Sequence, residues 1–112
     1  MHGQEERRAV KRYFVSVPAQ FRWQSVTGAW LSSAGVAQDV SVAGIYILCQ
    51  RTPEIGAAVE VKLPVNMFGD GTSKAYLVGK GLVNRSESGV GFAAELVLRL
   101  FRSDQPELSG RW

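Results

Sequence analysis

Apolar and polar residues alternate along much of this chain with a period of two, the pattern of a β-strand that has one buried face. The clearest run extends from Val15 to Val26, where one parity holds Val15, Val17, Ala19, Phe21 and Trp23. Similar runs predict strands over residues 35–42, 44–49, 58–63, 75–84 and 89–96. Five or six short strands at these intervals favour an all-β fold, a closed or nearly closed six-stranded antiparallel β-barrel.

Glycine and proline residues mark the breaks between these strands. Thr27-Gly28 predicts a turn, and residues 51–56 predict a connector because they include a proline and a glycine. Residues 64–74 form the longest predicted loop, and residues 85–88 predict a compact hairpin connection. The breaks therefore divide the chain into five or six short strands.

Only the segment from Glu95 to Phe101 is predicted to be helical. Its apolar residues Leu96 and Leu100, and likewise Val97 and Phe101, are four positions apart, a spacing that puts side chains on one face of a helix. Residues 103–112 are expected to run over the surface. We therefore expect the barrel to end in a short C-terminal helix and a tail.

The composition fits one globular domain. The chain has 112 residues, of which 46% are hydrophobic and 21% charged, a balance that differs from that of disordered chains. No apolar run approaches the roughly 20 residues that a membrane helix needs. We expect a cytoplasmic protein without membrane insertion.

Enzymatic chemistry has few candidate residues here. The chain contains one cysteine, Cys49, and one histidine, His2. Neither a metal-ligand cluster nor a nucleophile paired with a histidine base is visible. Cys49 lies in an apolar run and is interpreted as a core thiol. We expect a protein that is not an enzyme and has no cofactor or metal.

The charge distribution suggests an anionic ligand. The formal net charge is +3, which favours anionic partners in general. Four basic side chains lie within eight residues near the N-terminus: Arg7, Arg8, Lys11 and Arg12. Residues 1–12 are therefore predicted to form a flexible basic arm that binds phosphate groups.

A second polar string, Asp39-Val-Ser-Val-Ala-Gly44, ends a predicted strand. Because residues two apart share a face of a strand, Asp39 and Ser41 should project together, while Val40 and Val42 face the opposite side. Gly44 would serve either a turn that needs a positive φ or a ligand that approaches the backbone closely. The string thus combines core positions with a potential binding surface.

These residue types are compatible with a guanine nucleotide, the ligand that the family resemblance of the two strings implies. Guanine offers O6 and N7 as acceptors to an arginine fork, and N1–H with N2–H₂ as donors to a carboxylate. Asp39 would accept from the donor edge, while Arg8 and Arg12 would bind phosphate or guanine. Ordering an eight-residue arm costs on the order of 8–16 kcal/mol, more than three or four charged hydrogen bonds return at about 1.5–3 kcal/mol each. The free arm is therefore expected to be partly restrained, or the ligand to add stacking.

The strings Arg8-Ala-Val-Lys-Arg12 and Asp39-Val-Ser-Val-Ala-Gly44 resemble the RxxxR and (D/N)xSxxG signature of PilZ domains, bacterial β-barrels that bind cyclic di-GMP. Gly44-Ile-Tyr-Ile and Gly89-Val-Gly-Phe92 are also similar to that family, and the resemblance covers about residues 5–101. It implies an arm over 1–12, a barrel over 13–102 and a tail over 103–112.

The resemblance also implies roles for individual residues. Arg8 and Arg12 would bind guanine and phosphate, and Asp39, Ser41 and Gly44 would line the barrel side of the site. Arg7 precedes the RxxxR string, where a basic residue often accompanies two intercalated ligand molecules, so a ligand dimer is expected. The same string in isolation is also typical of a strand that ends in a polar turn.

The function implied is a receptor whose arm changes conformation on binding and signals to an unidentified protein partner, with motility or biofilm formation as the output. One alternative is a ligand-independent PilZ-like adaptor in type IV pilus or motility machinery. Another is a barrel that binds RNA or single-stranded DNA, which is disfavoured because few aromatic residues lie outside apolar runs. The aromatic residues expected to be buried or to pack at the barrel end are Trp23, Trp30, Tyr46 and Phe92.

Overall fold

The fold is a closed antiparallel barrel of six strands, in the spatial order β1-β2-β3-β6-β5-β4. The computed structural model describes residues 12–41, 43–65 and 75–102. The strands are β1 (Arg12–Gln24), β2 (Trp30–Ser41), β3 (Gly44–Leu48), β4 (Ala58–Val65), β5 (Ala75–Glu87) and β6 (Gly91–Arg102). The predicted all-β class and the six-stranded barrel are therefore confirmed.

The apolar side chains that alternate along each strand face inward and form the core of the barrel. Phe21 of β1 and Phe92 of β6 are completely buried, with ring centroids 4.9 Å apart in an edge-to-face arrangement. Trp23 packs beside Phe21 with a centroid separation of 5.6 Å. Such aromatic pairs contribute about 0.5–1.5 kcal/mol beyond the area they bury. The predictions that Trp23 and Phe92 are core residues are confirmed.

The predicted helix over 95–101 is wrong, because this segment belongs to β6. Phe92, Ala94 and Leu96 are buried, whereas Glu95 and Val97 between and after them are exposed. β6 also pairs along its whole length with β5 and over five residues with β3. A spacing of four residues fits one face of a strand as well as one face of a helix, so the apolar pairs did not distinguish the two. The part of the chain that the structure describes contains no helix, and hence none that could span a membrane.

The turns follow the glycine pattern with one shift. The predicted Thr27-Gly28 turn is present, closed by a hydrogen bond from the Gly28 amide to the Ser25 carbonyl. The hairpin between β5 and β6 turns at residues 88–90 rather than 85–88, with Gly89 at φ 76°. β5 therefore continues through Arg85, which changes the role of that residue.

Trp30 and Cys49 are more accessible than expected for core residues. Trp30 is 46% exposed at the start of β2, and the Arg22 guanidinium lies 5.2 Å from the centre of its ring. Cys49 is partly buried and packs against the core. Val42, most of the predicted loop over 64–74 and the tail 103–112 lie outside the described residues.

Three irregularities interrupt strand pairing in the described strands. One lies in β1 between Phe14 and Val17, and the other two determine which side chains face outward in β2 and β5. In β2, Ala37 pairs with Ile47 of β3, but Asp39 pairs with Tyr46, so Gln38 is an extra residue. In β5, Val83 pairs with Ala94 of β6 and Arg85 with Ala93, so Asn84 is an extra residue. Each extra residue is a β-bulge, a feature that reverses the facing of the residues after it and is frequent beside functional sites.

Candidate functional site

A surface cavity of about 650 Å³ lies over β2, β3, β5 and β6. This volume is within the range of 300–1,000 Å³ typical of small-molecule sites. Its lining comprises Asp39, Ser41, Ala43, Gly44, Ile45, Tyr46, Asn84, Arg85, Ala93, Ala94 and Glu95. The cavity thus brings together three of the residues predicted from the Asp39–Gly44 string and several that the string does not contain.

The bulge at Gln38 places Asp39 in this cavity. Ala37 is completely buried, so regular alternation would direct Asp39 into the barrel as well. With the extra residue, Val40 packs against the core, pairing with buried Ile45, and Asp39 projects from the outer face. The predicted division between Asp39 and Val40 is therefore observed, and the bulge is its cause.

Asp39 carries an unsatisfied acceptor. Its Oδ1 atom is buried and accepts no hydrogen bond from any residue that the structure describes. A buried polar atom without a partner costs about 1–3 kcal/mol, and most such atoms in folded proteins are paired. This oxygen therefore has the free capacity to accept a hydrogen bond from a ligand or from a residue outside the described ranges.

Ser41 and Gly44 shape the floor and edge of the cavity. The Ser41 hydroxyl accepts a hydrogen bond from the Ala43 amide at 3.2 Å and donates to the Gly44 carbonyl at 3.4 Å. Ser41 therefore builds the turn between β2 and β3, the local role that such a string has in many turns. Gly44 is not among the residues with positive φ, and a Cβ there would lie 3.0 Å from the Ala94 carbonyl oxygen. Close approach of the backbone, not turn geometry, accounts for this glycine.

Of the arginines predicted for the arm, only Arg12 lies within the described residues, and only through its backbone. The backbone of Arg12 opens β1 and pairs with Ser41 of β2, which brings the start of the barrel beside the cavity. The side chain of Arg12, together with Arg7 and Arg8, lies outside what the structure describes. Whether these arginines reach the cavity therefore stays a prediction.

Tyr46 lies in the cavity and not in the core, so its predicted core position is wrong. It alternates with buried Ile45 and Ile47, and its hydroxyl donates a hydrogen bond to Oε1 of Glu87 at 2.6 Å. This bond, together with burial, raises the pKa of Tyr46 above its ordinary value. Tyr46 was missed because the run from Gly44 to Leu48 is apolar at every position, which hides the alternation.

Arg85 is the second residue that the sequence did not identify. It follows the bulge at Asn84, and its guanidinium carbon lies 5.4 Å from the centre of the Tyr46 ring. Buried Val83 lies two positions before it, on the parity that would carry a charge into the core. That conflict between charge and parity is the signal that could have revealed the bulge.

The arrangement presents groups that are suited to ligand binding. Among the described residues, no group of three His, Cys, Asp or Glu side chains could hold a metal ion. The cavity instead presents a free carboxylate oxygen, a guanidinium and an aromatic ring over a floor of small residues. Comparison with protein-family models, with curated proteins and with solved structures gives no match.

Proposed function

We propose that this chain is a PilZ-type receptor that binds cyclic di-GMP in the cavity on the outer face of its barrel. The observation that carries the proposal is the buried Oδ1 atom of Asp39 at the wall of that cavity, which accepts no hydrogen bond from any residue that the structure describes. A buried acceptor that the described residues leave unsatisfied is suited to a ligand that supplies a donor. The RxxxR and (D/N)xSxxG strings give this ligand its chemical class.

The donor arrangement favours guanine over adenine. N1–H and N2–H₂ of guanine are adjacent donors that match the two oxygens of the Asp39 carboxylate. Adenine offers one amino group next to a ring acceptor, and that acceptor would face a carboxylate oxygen. Discrimination of about 1–3 kcal/mol is usual for one such base contact. Cyclic di-GMP should therefore bind more tightly than cyclic di-AMP.

The cavity itself does not neutralise a dianion. Its charged lining consists of Asp39, Glu95 and Arg85, two negative groups and one positive group. The proposal assigns the additional cations to the arm, in the predicted roles of Arg8 and Arg12. Arg12 begins β1 opposite Ser41, and Arg8 precedes it by four residues, which span at most about 14 Å. A chain of this length is long enough for both arginines to contact a ligand that lies on Asp39.

Binding would order the arm against the barrel and present a changed surface to a protein partner. Arg7, just before the RxxxR string, favours an intercalated ligand dimer. In this proposal the protein is a cytoplasmic, non-catalytic receptor with an output in motility or biofilm formation.

Isothermal titration calorimetry with cyclic di-GMP tests the proposal and measures stoichiometry. We expect binding by the wild-type protein, weaker binding of cyclic di-AMP by about tenfold or more, and affinity at least about tenfold lower, 1.4 kcal/mol, for each of Arg8→Ala, Arg12→Ala and Asp39→Ala. Arg51→Ala is the matched control, because Arg51 is exposed, lies outside the cavity lining and contacts Trp23.

Two results would contradict the proposal. Absence of heat with nucleotide-free wild-type protein at about 50 μM excludes an affinity in the useful range and would favour the ligand-independent adaptor. Binding that is unchanged in all three cavity and arm variants would show that the ligand binds elsewhere.

A further inference from the structure

Arg85 is a cation in the cavity that forms no ion pair with any residue that the structure describes. Within the described ranges it makes no ion pair and no hydrogen bond, and its one polar interaction is with the face of the Tyr46 ring, 5.4 Å from the guanidinium carbon. It lies on β5 opposite Ala93, and Tyr46 lies on β3 opposite the same alanine. Because the Ala93 side chain between them is small, the Arg85 guanidinium can extend across β6 to the Tyr46 ring.

The bulge at Asn84 produces this position. Val83 is 2% exposed and faces the barrel interior, and the extra residue turns Arg85 to the outer face, where it is exposed and lines the cavity. The bulge at Gln38 does the same for Asp39 in β2. The two β-bulges thus bring the Asp39 carboxylate and the Arg85 guanidinium into one cavity. The two groups form no ion pair with each other.

Tyr46 is held in a fixed position beneath Arg85. Its hydroxyl is bound to Glu87 at 2.6 Å, and its ring lies against the backbone of Gly91, where a Cβ would approach the hydroxyl oxygen to 2.8 Å. A guanidinium that rests on an aromatic face keeps all its N–H donors free at its edge. The contact with the Tyr46 ring therefore limits the orientations of Arg85 and leaves its N–H donors available.

We infer that Arg85 binds a phosphate of the nucleotide whose base is held by Asp39, and that Tyr46 is the positioning residue that orients it. This inference rests on the proposed function and adds a residue from outside both strings. An arginine fork binds two phosphate oxygens at once, and a pre-oriented fork loses less side-chain entropy on binding. The cavity then supplies both halves of nucleotide recognition, an acceptor for the base and donors for the phosphate.

Calorimetry with cyclic di-GMP at two salt concentrations tests the inference. We expect Arg85→Ala to weaken binding about 10- to 100-fold, because a hydrogen bond to a charged group is lost, and Arg85→Lys to restore only part of the loss because lysine lacks the planar fork. The affinity of Arg85→Ala should also depend less on salt than that of the wild type, since one ionic contact is absent. A merely structural role would not change the salt dependence.

Tyr46→Leu and Arg51→Ala complete the set. Tyr46→Leu should weaken binding by a smaller factor, and the loss should not add to that of Arg85→Ala, since the ring acts through the arginine. Arg51→Ala removes a similar arginine-aromatic contact, 5.7 Å from the ring of Trp23, and should change affinity less than twofold. Circular dichroism of each variant verifies the fold.

The outcomes separate the inference from the proposed function. If the wild type binds and Asp39→Ala weakens binding, but Arg85→Ala behaves as Arg51→Ala does, the receptor function stands and the role of Arg85 is overturned. An affinity loss with unchanged salt dependence also overturns the phosphate contact. Failure of the wild type to bind overturns both.

Discussion

Replacing Asp39 by alanine should stabilise the ligand-free protein while weakening its binding of nucleotide. The carboxylate oxygen Oδ1 is buried without a partner among the described residues, and such an atom costs about 1–3 kcal/mol. Asp39 as a whole is only partly buried, so the lower value of about 1 kcal/mol applies. For a domain of this size, a gain of that magnitude raises the melting temperature by about 4 °C.

The assay compares nucleotide-free wild type, Asp39→Ala and Glu95→Ala by thermal and urea unfolding monitored by circular dichroism, with absence of nucleotide verified from the ultraviolet spectrum. Glu95 lines the same cavity but is exposed, so its replacement should change the free energy of unfolding by less than about 0.5 kcal/mol. Addition of cyclic di-GMP should raise the melting temperature of the wild type and of Glu95→Ala more than that of Asp39→Ala.

A lower melting temperature for Asp39→Ala in the absence of nucleotide would refute this reasoning. It would mean that Oδ1 already accepts a hydrogen bond in the free protein, from a donor outside the described residues. The arginines of the arm are candidates for that donor, and Arg8→Ala or Arg12→Ala would then lower the melting temperature in the same way. Asp39 would in that case contribute to the stability of the protein as well as to its specificity.

Two further predictions concern ionisable groups beside the core and the cavity. Burial raises the pKa of the Cys49 thiol to about 11, so at pH 8 its alkylation by iodoacetamide should be about 100-fold slower in the native protein than in urea, and equal rates would contradict the burial. The stability from keeping this thiol neutral is complete below its ordinary pKa and is lost as the pH rises through 11. The hydrogen bond to Glu87 is the largest cause of the raised pKa of Tyr46, so Glu87→Gln should lower that pKa towards 10. The pKa can be measured from the chemical shift of the Tyr46 ring carbons as a function of pH. An unchanged pKa would show that burial is the dominant cause. Because the native pKa of Tyr46 is raised, its contribution to stability is present below pH 10 and is lost as the pH rises through the native value.

Regular alternation explains both the success and the main failure of the sequence interpretation. Phe21 and Trp23 were assigned to the core because the polar residues between them fix the period at two. In β6, Leu96 and Leu100 share a face in either a helix or a strand. The apolar residue Val97, on the exposed face, interrupts the apolar-polar alternation that would indicate a strand. Pairing with β3 and β5 makes this segment a strand. Such long-range pairing is not encoded in the local period of the sequence.

The sequence predicted the part of the site that lies within the string from Asp39 to Gly44. Asp39 and Ser41 share a face, as expected, because both come after the extra residue Gln38. Arg85 was assigned to a connection and Tyr46 to the core, because neither the bulge at Asn84 nor the alternation inside an apolar run leaves a local signal in composition. A change of register can thus bring a residue such as Arg85 to a site without any local signal in the sequence.

In the proposed receptor, the bulges at Gln38 and Asn84 also make the length of a strand a determinant of ligand binding. Deletion of either residue would change no other side chain. It would nevertheless restore strict alternation and turn Asp39 or Arg85 towards the apolar interior. An ionic group there is costly, so regular pairing and an intact site exclude each other at these positions. In relatives of this barrel, insertions and deletions of one residue in β2 and β5 would therefore be as informative about nucleotide recognition as substitutions of the charged residues themselves.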